Sequence, residues 1–189
     1  MRELTYFVAV SLDGRIAGPG DDFSAFPTTG DHLDMIAADY RDTLSGPGLA
    51  ALGLTADGSR FDTVVMGWNT YAVGLPFGVD SPYPHLRQYV FSRSTRTTPA
   101  AVRVLADDPV QTVRALKAEP HGSGIWLCGG GLLAATLADE IDELVLKVNP
   151  VVLGDGPSLF RSGYQPRPFS LTASTAYRSG VVVNAYRPG

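Results

Sequence analysis

Apolar positions along the chain gather into short strand-like runs, separated by helical stretches and glycine-rich turns. Leu4-Thr-Tyr-Phe-Val-Ala-Val10 is aromatic and β-branched and predicts a first strand. The loop Ser11-Leu-Asp-Gly-Arg-Ile-Ala-Gly-Pro-Gly20 leaves it. Asp31 to Asp42 predicts a helix, because Leu33, Ile36, Ala37 and Tyr40 share one face. Ser45 to Arg60 is rich in glycine and predicts a loop with room for one helical turn. Phe61 to Met66 predicts a second strand, Asn69 to Val73 a short helix, Leu86 to Ser92 a third strand and Val102 to Leu105 a fourth. Asp108-Pro109 opens a helix through Ala118, with an acid at the cap and proline at the first helical position. Ile125 to Cys128 reads as a buried strand, and Gly129 to Gly131 lead from it into a helix over Leu132 to Leu137. Asp142 to Val148 is another strand, ended by Pro150. Phe169 to Tyr177 and Gly180 to Arg187 close the chain as an antiparallel hairpin.

This alternation of strand and helix predicts an α/β fold: a central mixed, mostly parallel sheet flanked by helices in three layers, completed by the C-terminal hairpin. With 189 residues, 44% hydrophobic, the chain can bury one sizeable core, and residues 1–189 are expected to form a single domain. The net charge of -4 and the lack of basic clusters argue against nucleic acid as a partner. Met1-Arg-Glu-Leu4 runs straight into a strand, with no signal-peptide pattern and no apolar stretch long enough to span a bilayer. The one cysteine, Cys128, forbids an intrachain disulfide and fits a reducing cytoplasm. Lying in an apolar run, it reads as a small buried hydrophobe. His32, His85 and His121 show no metal-ligand spacing, so no metal is expected.

The strand–glycine–helix pattern at Ile125-Trp-Leu-Cys-Gly-Gly-Gly-Leu-Leu133 is suited to phosphate, because bare backbone permits close approach and a helix start offers free N–H groups. Three glycines also suit a tight turn. Gly67 opens a second helix in the same manner, and Ser92-Arg-Ser-Thr-Arg96 sets two arginines beside hydroxyls. Two glycine-opened helices and an arginine loop at one sheet edge suggest a ligand with several phosphates, such as a dinucleotide carrying a 2′-phosphate. Asp13, before Gly14, fits an Asx-turn better than a ligand contact.

Val8-Ala-Val-Ser-Leu-Asp-Gly-Arg-Ile-Ala17, Val64-Val-Met-Gly-Trp-Asn-Thr-Tyr71, Val90-Phe-Ser-Arg93, the glycine triplet and Leu144 to Phe160 occur in one order. Together they resemble the dihydrofolate reductase-like superfamily over nearly the whole chain. The Ser-Leu-Asp-Gly loop and Asn149-Pro-Val-Val-Leu-Gly-Asp-Gly156 resemble, within it, the reductase domain of bacterial riboflavin biosynthesis deaminase-reductases. The zinc-deaminase signature is absent.

This resemblance implies an NADPH-dependent reductase acting on a small heterocycle, with 5-amino-6-(5-phosphoribosylamino)uracil as the type substrate. Gly129, Gly130, Gly131 and Leu132 would lie against the pyrophosphate, Gly67 and Thr70 would bind cofactor phosphates, Ser92 and Arg93 would hold the 2′-phosphate with Arg96 in support, and Ala9 and Ile16 would border the nicotinamide. Trp68 stands where dihydrofolate reductases carry a basic residue. Their pterin-binding carboxylate lies on the first helix, where this chain offers Asp31, Asp34 and Asp39; Asp34 is the candidate catalytic acid, with bound water as the alternative proton source. Phe23 and Phe26 either stack on a planar substrate or anchor their loop. Arg15, Arg161 and His85 are candidates for a ribose phosphate by loop position. Two alternatives stand beside this reading: a dihydrofolate reductase acting on a pterin, and a non-catalytic nucleotide-binding protein of the same fold. Val181-Val-Val183 fits either a homodimer contact or a core strand.

Overall fold

The computed structural model describes residues 1–189. The apolar runs become strands β1 (Leu4–Val10), β2 (Phe61–Gly67), β3 (Arg87–Phe91), β4 (Val102–Leu105), β5 (Gly124–Gly129), β6 (Glu143–Val148), β7 (Phe169–Ala176) and β8 (Val182–Pro188). The helices are α1 (His32–Asp39), α2 (Gly46–Leu52), α3 (Trp68–Ala72), α4 (Pro109–Lys117) and α5 (Gly131–Thr136). All eight strands join one sheet in the order β4-β3-β2-β5-β1-β6-β8-β7. The first six are parallel to their neighbours, β8 runs antiparallel to β6, and β7 runs antiparallel to β8.

A parallel sheet needs cover on both faces, and the alternate residues of each inner strand provide for it. Leu4, Tyr6 and Val8 of β1 with Ile125 and Leu127 of β5 pack against Val113 and Leu116 of α4 and Leu133, Ala134 and Leu137 of α5. Phe7, Val64, Met66, Trp126 and Val145 face the other way and meet Ile36 of α1 and Tyr71 of α3. The result is the expected three layers, a central sheet with helices on both faces.

Two local expectations change, and one of two alternatives gains support. The first helix stops at Asp39, and a single tight turn, Arg41–Thr43, rotates Asp42 inwards. There the buried Asp42 carboxylate accepts the backbone N–H groups of Gly58, Arg60 and Phe61, tying down the segment before β2. The glycine-rich stretch from Ser45 contains a true helix, α2: Ser45 Oγ accepts from Gly48 N, proline follows in the first turn, and Gly53 ends it at φ +63°. Its glycines serve the cap and the exit more than a loop. Finally, Val181 is fully buried and Val183 packs on the inner core, so the core-strand reading of this run holds within the chain. β7, at the sheet edge, is exposed almost throughout.

Candidate active site

The loops singled out in the sequence leave the C-terminal ends of adjacent strands. In the register of the sheet Gly67 lies beside Phe91, and Met66 beside Gly129. The start of α3, the Ser92–Arg96 loop and the glycine triplet therefore form one continuous edge. Neither Gly67 nor Gly130, the residues that open α3 and α5, is accompanied by a side-chain cap. By contrast, α2 and α4 are capped by Ser45 and Asp108. The first N–H groups of α3 and α5 are thus left for another acceptor.

The three glycines divide into two kinds. A Cβ on Gly129 or Gly130 would stand 3.8 or 3.6 Å from Thr70 Oγ1, and the latter 3.8 Å from Ile16 Cδ1, so their bare backbone faces a shallow cradle shared with Thr70 and Ile16. Gly67 opens onto free space in the same region. Gly131 differs: a Cβ there would fall 2.1 Å from the Ser158 carbonyl oxygen, so its missing side chain is already explained by packing. Leu132 follows, more than half exposed at 56%.

At the far end of this edge Ser92 Oγ closes a small turn, donating to Ser94 O and accepting from Ser94 N, which leaves Arg93 exposed and unpaired. Arg96 sits with its guanidinium carbon 4.5 Å above the Trp68 ring. The loop thus sets a positive charge over the start of α3, held there by the indole.

Beyond Ile16 the edge opens into a mainly apolar cavity of about 380 Å³. Its walls are Ala9 of β1, Phe23 and Phe26 of the following loop, Ile36 of α1, and Trp126 and Cys128 of β5. Ala9, Ile16, Phe23 and Phe26 are thereby gathered around one space. Asp34 is not: it lies exposed on the outer side of α1, and the helix meets the cavity through Ile36. Residues two apart on a helix do not share a face, so Ile36 and Asp34 cannot both point inwards. Asp39 is also exposed, and Asp31 is engaged elsewhere, accepting from Arg178 N and Ser179 N at the β7–β8 turn.

Three ionisable residues line the cavity. Tyr83 stacks edge-on against Trp126 at 4.9 Å and contacts Cys128 Sγ at 3.7 Å. Cys128 packs on the inner core as the small hydrophobe expected and also reaches the cavity wall; burial pushes its thiol up to about 12. The third, Lys147, had a signal: within Leu144–Val148 it shares the inward face with Val145, where a charge is out of place.

The floor of the site is pinned by carboxylates. Asp13 Oδ1 accepts from Ser11 Oγ and Leu153 N while Oδ2 accepts from Gly154 N, zipping the loop after β1 to the loop after β6. Those hydrogen bonds hold Asp13 at about 2, and the turn amides hold Asp31 at about 2 as well, both below the usual carboxylate range. Depressed folded-state values add stability above the unfolded value near 4, and that stability disappears as pH falls towards 2. Replacing both residues by asparagine is therefore expected to flatten the fall of melting temperature between about pH 4 and 2, as read by thermal melts. An unchanged slope would remove these two groups from the acid response. Of the three ribose-phosphate candidates, Arg15 donates to the Gly156 carbonyl, His85 bonds the Asp42 carbonyl through Nε2, and Arg161 is exposed.

An eight-stranded sheet covered on both faces, six strands parallel and a C-terminal pair antiparallel, is the fold of the dihydrofolate reductase-like class, as the solved structures below share it. Within that class the chain belongs to the RibD C-terminal domain family, whose profile matches residues 2–183. It is similar to the uncharacterized protein YwjB of Bacillus subtilis, 30% identical over 161 residues that span 84% of this chain and 83% of that one. Among solved structures, a riboflavin biosynthesis protein described as putative, from Shewanella sp. PV-4, is 23% identical with a TM-score of 0.71, covering 100% of this chain and 99% of that one. The diaminohydroxyphosphoribosylaminopyrimidine deaminase/5-amino-6-(5-phosphoribosylamino)uracil reductase of Thermotoga maritima is 17% identical with a TM-score of 0.67, covering 100% of this chain and 57% of that longer one. Dihydrofolate reductase from Enterococcus faecalis, complexed with NADP(H), is 14% identical with a TM-score of 0.66, covering 99% of this chain and 96% of that one. No helix of the protein is long and apolar enough to cross a membrane.

Proposed function

We propose that this protein is an NADPH-dependent reductase of a small planar heterocycle, of the riboflavin-pathway type, with 5-amino-6-(5-phosphoribosylamino)uracil as the reference substrate. The observation that carries the proposal is the position of Ile16. Its Cδ1 borders the Gly130 cradle at 3.8 Å from where a Cβ would be, and the same side chain lines the apolar cavity. A phosphate-suited edge and a ring-sized pocket therefore meet at one residue.

The residues fit the cofactor: bare backbone at Gly67, Gly129 and Gly130 admits a close ligand, the starts of α3 and α5 are free of side-chain caps, and Arg93 is unpaired. Gly67, Thr70, Gly129, Gly130 and Leu132 would hold the pyrophosphate, while Ser92 and Arg93, with Arg96, would hold the 2′-phosphate. Ala9 and Ile16 would border the nicotinamide, which supplies the hydride when bound. Phe23 and Phe26 would flank the substrate ring and exclude water. Asp34 has no part in this scheme, since its carboxylate stands outside the cavity. The same geometry counts against a pterin substrate, because α1 presents Ile36 to the cavity where a pterin's amino groups would need a carboxylate.

The test is a fluorescence titration with NADPH, repeated on Gly130→Ala. At φ -91° alanine is unstrained there, and its Cβ lies in ordinary contact with Thr70, so the fold should hold. NADPH binding is expected to weaken by roughly tenfold or more, about 1.4 kcal/mol, with little change in melting temperature. Absence of saturable binding in the unaltered protein would end the reductase reading, and unchanged affinity in Gly130→Ala would remove the cradle.

A further inference from the structure

Lys147 is one of only two lysines in the chain. The other, Lys117, is fully engaged: its Nζ donates to the Glu140 carbonyl and to Asp142. Lys147 takes part in none of the protein's ion pairs and makes no side-chain hydrogen bond. Its place is set by the sheet. It pairs with Ala9 of β1 on one side and Val183 of β8 on the other, on the face that carries Val145. From there it lines the apolar cavity together with Phe26, Ile36 and Trp126.

No carboxylate lines this cavity; the ionisable groups on its wall are Lys147, Tyr83 and the Cys128 thiol. Burial raises both the Tyr83 hydroxyl and the thiol, so both stay neutral around pH 7. Burial also holds the Lys147 ammonium below the usual lysine range, with no opposing carboxylate to restore it. Lys147 is half-buried, and a cation partly withdrawn from water with no partner in the chain gains from an anion that pairs with it.

We propose that Lys147 makes this cavity a site for a planar ligand carrying a single anionic oxygen, a carboxylate or an enolate, and that the ammonium selects it over neutral or cationic rings. A substrate that met this preference would be an anionic relative of the reference pyrimidine, whose own ring is neutral; that step rests on the reductase reading above, and the anion selection does not. The cavity, about 380 Å³, is at the lower end of small-molecule sites and suits a one- or two-ring compound. Aromatic walls would take the ring faces, while the ammonium at the edge would take the oxygen. A protonated aminopyrimidine is rejected by the same charge, which sets the selectivity opposite to that of a carboxylate-lined pterin pocket.

The experiment is calorimetric titration with 2-naphthoate and with its neutral counterpart 2-naphthamide, without cofactor, on the unaltered protein, Lys147→Met and Lys147→Arg. The unaltered protein should prefer the carboxylate by about tenfold or more. Lys147→Met should lose that preference through weaker naphthoate binding while retaining the amide, and Lys147→Arg should keep it. The melting temperature of Lys147→Met should equal or exceed that of the unaltered protein, because an unpaired cation has been removed from an apolar space. Equal affinities in the unaltered protein, no binding of either probe, a preference that survives Lys147→Met, or a marked fall in its melting temperature would each overturn the proposal. Failure of NADPH binding would remove the reductase reading and leave this comparison standing.

Discussion

Arg93→Ala is expected to weaken NADPH binding roughly 10- to 100-fold while NADH binding stays within about twofold. The side chain is exposed and forms no ion pair, so its loss should leave the fold intact. What the substitution would remove is the proposed hydrogen bond to a charged phosphate oxygen; such a bond is worth about 1.5–3 kcal/mol, and each 1.4 kcal/mol is a factor of ten. The exposure that makes the substitution clean also lets salt compete, so the difference between the two cofactors should narrow as ionic strength rises. Arg96→Ala should have a smaller effect, because part of that guanidinium's contact is with the Trp68 ring. Paired titrations at low salt decide the matter: equal losses for NADPH and NADH would leave Arg93 without a role at the 2′-phosphate.

The second large effect falls on stability. Gly131→Ala should destabilise the protein by about 2–3 kcal/mol, a drop of roughly 5–10 °C in melting temperature. The added methyl would meet the Ser158 carbonyl at 2.1 Å, and that carbonyl belongs to backbone, which cannot rotate away as a side chain can. The same segment is bonded to α5, since Arg161 N donates to the Gly131 carbonyl. A shift would therefore spread into the loop that supports the site. Set against Gly130→Ala, which should leave the melting temperature almost alone, the comparison separates two adjacent glycines by function. Equal melting temperatures for the two variants would mean that the Ser158 loop yields freely.

Both contrasts depend on features whose visibility in the sequence differs. Strands β1, β2, β5 and β6 were plain because sheet residues covered on two sides are apolar on two sides. The glycine starts and the arginine loop were plain because each is a local pattern. The helix α2 was hidden because its glycines resemble a loop unless Ser45 is recognised as the cap. Asp34 lies outside the cavity for a reason already present in the chain: Leu33, Ile36, Ala37 and Tyr40 mark the buried face, so an acid two positions from Ile36 points away. Lys147 violated the inward parity of its strand, but only the pairing with β1 reveals that the space beside it is a cavity. The division of labour among the three glycines was out of reach, because it depends on Ser158, which is distant in sequence.

The sheet order also governs how the chain can acquire its structure. β1 has no partner near it in sequence: Leu4 pairs with Ile125, and Thr5 with Glu143. β2 does not pair with β1, because β5 lies between them. The first strand to be synthesised must wait for the fifth and sixth before it makes a single ladder hydrogen bond, and long loops must close before those contacts reward the closure. Such high contact order means slow folding and a long interval in which Tyr6, Phe7 and Val8 stand uncovered. The cradle and the cavity, built across β2, β5, β1 and β6, come into being together in that late step, so no N-terminal fragment ending before β5 can contain half of the site.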